Sequence, residues 1–230
     1  MFKKEFKRTI KGLIIWSIII VLLAMMALLE YPVIGQYADL MDEHLAEFMP
    51  KIAQLVFGIY NINLKETIGW FVVMYYWTGL IVFTHAIYTG ASLISKEIRD
   101  KTSEYLFTKP CKRSTIVWAK TFAGFANILV INLVATIMSL ILMIPMTKDP
   151  VIYGQVLIGG IGMLLTQCVL MSIGFVCSGF FKSYASGVKA AMISLIIFYC
   201  LMFFVQYIDM PSLNFLSPLT YFSVSDVVAN

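Results

Sequence analysis

Read for hydrophobic and polar positions, the chain resolves into five long apolar runs joined by polar segments. The runs are Leu13–Leu29, Ile68–Ile94, Ile116–Met146, Val151–Phe181 and Ala190–Ile208. A helix rises ~1.5 Å per residue, so ~20 residues cross the hydrocarbon core. The first run is short by that measure, and the second to fourth are long enough to tilt or protrude. Gly and Pro inside or beside them do not argue against helix, because neighbouring helices re-satisfy the backbone. No repeat is long enough to suggest two fused halves. The pattern therefore predicts an all-α, polytopic helical membrane protein forming a single transmembrane domain over 1–230.

The polar segments carry patterns of their own. In residues 1–12, Phe2, Phe6 and Ile10 share one helical face, with Lys3, Lys4, Lys7, Arg8 and Lys11 around the rest. That arrangement predicts an interfacial helix, apolar side toward lipid, which could also serve as a docking elbow. Residues 30–67 form the longest connection. There Asp39, Asp42, Glu43 and Glu47 mark one face and Leu40, Met41, Leu45, Phe48, Ile52 and Leu55 another. Two short amphipathic helices broken at Pro50 are expected. His44 lies among these carboxylates, but the run HLAEF matches neither H-E-x-x-H nor its inverse, so no metal is assigned.

The segment 95–113, SKEIRDKTSEYLFTKPCKR, is too charged to lie in hydrocarbon. Ile94, Ile98, Tyr105 and Leu106 nevertheless fall at helical spacing. Lys96 with Asp100, and Glu97 with Lys101, are i,i+4 pairs of opposite charge that support a helix in water. Pro110 stops it. A short amphipathic helix along the membrane face follows, suited to gripping a soluble partner.

Composition agrees with the pattern. The chain is 60% hydrophobic and 13% charged, with mean hydropathy +0.86. Soluble domains run about 45–50% apolar and about 25% charged, so a single globular core is excluded. The net charge of +4 hides an asymmetry. With the N-terminus placed inside, 14 of the 17 Lys and Arg fall on the inner segments, leaving Lys51, Lys65 and Lys148 outside. Nine of the 13 acidic residues fall outside. This positive-inside bias fixes the expected orientation and makes a nucleic-acid partner unnecessary. Aromatic residues suit span anchors, and the 14 Met suit adaptable packing. The four Cys show no C-x-x-C spacing. The first run is too long, and lacks the small-residue cleavage site, for a removable signal.

Chemistry-bearing residues are few. The chain holds no G-x-x-x-x-G-K-[ST], G-x-S-x-G or H-E-x-x-H motif, so neither ATP binding nor hydrolysis is expected of it. No catalytic or metal residues are assigned. Polar side chains inside spans are costly when they face lipid. His85, Asn127, Asn132 and Gln167 are the candidates for a substrate pathway, with interhelical hydrogen bonding as the plainer reading. Gln206 lies near the end of the fifth run. Gly159, Gly160, Gly162, Gly174 and Gly179 suggest close helix packing.

The run from Ile94 to Pro110, followed by Lys112, Arg113, Ser114 and Lys120, resembles the cytoplasmic segment of bacterial ABC transporter permeases of the type-2 exporter family. That pattern is an acidic residue, a polar turn, then E-x-L-hydrophobic-x-x-P and a basic residue. Glu97, Glu104, Leu106, Pro110, Arg113 and Lys120 match it, while Thr102 departs where Gly-Thr is frequent. Ser217–Phe222 also resembles an outer segment of the family, as part of an outer stretch over 209–230.

The resemblance implies a permease of six spans, and hence a further span after Asn230. It implies a second copy or similar permease, and a separate ABC ATPase that binds ATP and Mg. Glu97, Ile98, Lys101, Glu104, Tyr105, Leu106, Phe107, Pro110 and Arg113 would form the ATPase-coupling helix. Export of an amphipathic or hydrophobic cargo (peptide, lipid or antibiotic) across a bacterial cell membrane would follow, with the N-terminus cytoplasmic. A non-transporting membrane immunity or sensor protein shares the topology and is the alternative.

Overall fold

A computed structural model describes residues 2–64, 66–99, 113–181 and 183–221, by backbone alone at 2–4, 34–48, 94, 97–99, 113 and 211. The described residues form α1 (Phe2–Phe48), α2 (Lys51–Phe57), α3 (Thr67–Arg99), α4 (Arg113–Met143), α5 (Pro150–Phe180), α6 (Tyr184–Ile208) and a 3-10 turn, Pro211–Leu216. No strand occurs among them. Five helices, all but α2, are long and apolar enough to cross a membrane. The chain is a multi-pass helical membrane protein.

Boundaries differ from the sequence pattern in informative places. The N-terminal segment and the first span are one helix, without the break expected near Gly12. That helix also continues beyond Leu29 through Pro32 to Phe48, where the pattern predicted an outer loop from Glu30. An internal proline costs one backbone bond but does not forbid helix. At 47 residues α1 is ~70 Å long, more than twice the ~30 Å hydrocarbon thickness, so it projects beyond the core. The break at Pro50 is where expected, and α2 follows it. The fifth span begins at Tyr184 rather than Ala190. The first residues of 95–113 continue α3 as far as Arg99.

Local chemistry sets the other ends. Asp149 caps α5 by accepting from the Val151 amide at 3.0 Å, with Pro150 at the first helical position. Gly58 ends α2 in the left-handed region (φ 72°), and a Cβ there would meet the Tyr76 ring. The Tyr76 hydroxyl donates to the Val56 carbonyl at 3.1 Å, tying α2 to α3.

Helix α3 is the hub, in contact with α1, α4, α5 and α6. Its tightest crossing is with α5. A Cβ on Gly90 would strike the Met171 carbonyl, and one on Gly174 would strike the Ile87 carbonyl. Small residues let two backbones approach this closely. Gly160 meets Thr136 of α4 in the same way, whereas Gly179 faces open space and does not contribute to the packing expected of it. On α1, Leu13, Ile20, Ala24 and Ala27 form the buried stripe, while Ile14, Ile15, Ile18, Leu22 and Met25 are exposed. An apolar exterior of this extent requires lipid or further helices around it.

Candidate functional site

The antiparallel spans give the bundle two poles. The basic pole carries the start of α1, the end of α3 and the start of α4. The opposite pole carries α2 and the 3-10 turn. One cavity opens at each.

At the basic pole a cavity of about 260 Å³ lies between α1, α3 and α4. Its rim is charged: Lys120, only 4% exposed, reaches Glu5 at 3.4 Å, and Arg8 reaches the same carboxylate at 3.9 Å. A cation this buried needs its partner, and the bridge fastens α1 to α4. Lys96 lies over the Tyr88 ring at 5.7 Å, and the Tyr88 hydroxyl meets that of Tyr184 at 3.1 Å, joining α3 to α6. The wall includes His85, whose Nε2 is 3.4 Å from the Thr89 hydroxyl and whose ring meets Trp16 edge-on at 5.4 Å. The His85 Nδ1 is buried with no hydrogen-bond partner among the described residues. Asn127 lines the same cavity and donates to the Ala123 carbonyl of its own helix at 2.6 Å.

Of the four pathway candidates, His85 and Asn127 are thus brought together. Asn132 and Gln167 are not. Asn132 donates to the Gly160 carbonyl of α5 at 3.1 Å, the interhelical bond that polar residues in spans commonly make. Gln167 is fully buried on the packing stripe of α5, and neither atom of its amide finds a partner among the described residues.

At the opposite pole a cavity of about 330 Å³ is walled by Tyr60, Tyr75, Tyr76, Phe83 and Tyr199. Asp209 and Tyr60, both in its lining, form a mouth that Lys51 contacts. The ammonium donates to Asp209 at 2.5 Å and to the Tyr207 carbonyl at 2.8 Å, above the Tyr60 and Tyr207 rings. The bond to Asp209 raises the Lys51 pKa above its ordinary value, assisted by Tyr60. Phe83 of α3 belongs to this cavity and His85 to the other, and the fully buried Val82, Ala86 and Ile87 occupy the stretch around them. The two vestibules meet the hub helix two residues apart, about half a turn, at Phe83 and His85.

Sequence reasoning missed two of these features. Lys51 and Asp209 are 158 positions apart, and no local spacing links them. Tyrosines suited to membrane anchoring instead line a cavity. The coupling candidates Lys101, Glu104, Tyr105, Leu106, Phe107 and Pro110 lie outside the described residues. Glu97 and Ile98 fall in the last turn of α3 and Arg113 opens α4, by backbone. The side chains of Asp39, Asp42, Glu43, His44 and Glu47 likewise lie outside the description.

Four apolar spans packed on a fifth, the hub helix α3, with a cavity at each pole, make a polytopic helical membrane protein. The chain belongs to the ABC-2 family transporter proteins, whose sequence model matches residues 1–224. It is accordingly a permease subunit of an ABC transporter, and the ATP-binding loop is not part of it. No curated protein and no solved structure matches the chain.

Proposed function

We propose that this permease exports an amphipathic or hydrophobic cargo, driven by a separate ABC ATPase that grips residues 95–113 and holds the ATP and Mg. A second copy or a similar permease completes the pathway, the N-terminus is cytoplasmic, and the membrane is a bacterial cell membrane. The observation that carries the reading is the position of α3. The gripped segment joins the end of α3 to the start of α4, and α3 touches every other span. A push delivered there loads the hub directly. It also loads α1 through the Lys120–Glu5 bridge on α4. Tight glycine crossings make α3 and α5 move as a unit, the kind of stiff element that switches between discrete arrangements.

The cargo chemistry follows from the vestibules. The basic-pole cavity offers charged and hydroxyl groups to a polar end, and the core between the vestibules is apolar. Cargo with one polar end and an apolar body suits both. The test is co-reconstitution in vesicles with the cognate ATPase. ATP-dependent accumulation of a labelled amphipathic peptide or lipid is expected, together with ATPase stimulation. Stable complex formation without movement of any member of such a panel would favour the sensor alternative.

A further inference from the structure

We infer that the tyrosine-walled cavity binds an organic monovalent ammonium carrying a small apolar body, and that Lys51 is its resident competitor. The mouth already holds an ammonium, which shows what chemistry it accepts. The Lys51 Nζ donates to the Asp209 carboxylate and the Tyr207 carbonyl and lies over the faces of two rings, Tyr60 at 4.8 Å and Tyr207 at 5.5 Å. Carboxylate, carbonyl and ring face are all electron-rich, and aromatic faces attract cations specifically. Among the described residues lining the cavity, Asp209 is the single charged one. Deeper in, Tyr75, Tyr76, Phe83 and Tyr199 supply an apolar, aromatic chamber of the right scale for a small ligand body. The hydroxyls of Tyr75 and Tyr199 are buried there without a hydrogen-bond partner among the described residues.

A separate observation marks the same place. Among the described residues three have positive φ: Gly58 (72°), Asn61 (55°) and Asp209 (54°). All three line this cavity. Asn and Asp adopt left-handed backbone more readily than other non-glycine residues. At Asp209 it ends α6 and presents the carboxylate to the mouth. Lys51 is well suited to yield. Its long stem is partly exposed, and a ligand ammonium entering the mouth would take its bonds while Lys51 turns to solvent.

The experiment uses the full chain in zwitterionic phosphatidylcholine nanodiscs, without ATPase, so its failure leaves the transport reading standing and the converse also holds. Calorimetric titration compares benzylammonium with benzoate, its near-isostere of opposite charge. Benzylammonium is expected to bind and benzoate not. Asp209→Asn should weaken the cation by about tenfold or more, as loss of a charge-assisted bond implies. Lys51→Gln should tighten it, because the competitor is gone. Equal binding of benzoate, no binding of benzylammonium, or a folded Lys51→Gln protein that binds no tighter than wild type would each overturn the inference. Should either variant fail to fold by thermal unfolding, the comparison of the two probes on the wild type decides alone.

Discussion

At the scale of single residues, the costly groups are those that hold helices together inside lipid. Lys120→Met would strip Glu5 of its closer cation and leave Arg8 at 3.9 Å. Breaking a fully buried pair costs ~3–5 kcal/mol. Glu5 is 23% exposed, so the loss should fall at or below the lower end. The double variant Lys120→Met with Glu5→Gln should recover part of it, read as a non-additive term in a thermal or denaturant unfolding cycle. Asn132→Leu removes one interhelical bond to Gly160 and should cost about 0.6–2 kcal/mol in the same assay. Gly174→Leu is expected to be harsher. Its side chain would meet the backbone of α3 at Ile87 and Ala91, so loss of monodisperse protein on size exclusion is the expected result. The Lys51–Asp209 contact should withstand neutral and mildly alkaline pH. Its ammonium titrates above the ordinary lysine value, so its contribution is complete below that value and lost only as pH rises past the raised one.

At the scale of elements, hydropathy made the spans legible because a lipid-embedded helix must be apolar over ~20 residues wherever it lies in the chain. The second to fourth spans end within a few residues of where their apolar runs stop. Helix α1 escaped that reading at both ends. Hydropathy reports where lipid contact stops, not where the backbone stops being helical, and Glu30–Phe48 is polar yet helical. His85 and Asn127 were legible as costly polar residues in spans, but their sharing of a cavity depends on the crossing of α3 with α4, which no local pattern encodes. The tyrosine cavity was illegible for the same reason: its walls come from α2, α3, α6 and the turn after α6. The segment 95–113 is the opposite case, read from its charge pairs and apolar stripe. Leu106→Ala and Glu104→Ala should leave membrane insertion and the unfolding temperature near wild type and abolish stimulation of the partner ATPase. Wild-type stimulation in both would remove the coupling role from this segment.

For the whole molecule, the proposed function has force enter at the basic pole and cargo leave at the other. With 14 of 17 Lys and Arg expected on one side, a cysteine introduced beside Lys3 or in 95–113 should label only from the cytoplasmic face. One introduced beside Lys51 or Lys148 should label only from outside. The most direct measurement of the central claim is ATP-driven cargo accumulation in vesicles holding this permease and its ATPase, wild type against Leu106→Ala. The account predicts accumulation with wild type and background with the variant, at equal amounts of assembled, inserted protein. Equal accumulation by both would contradict it.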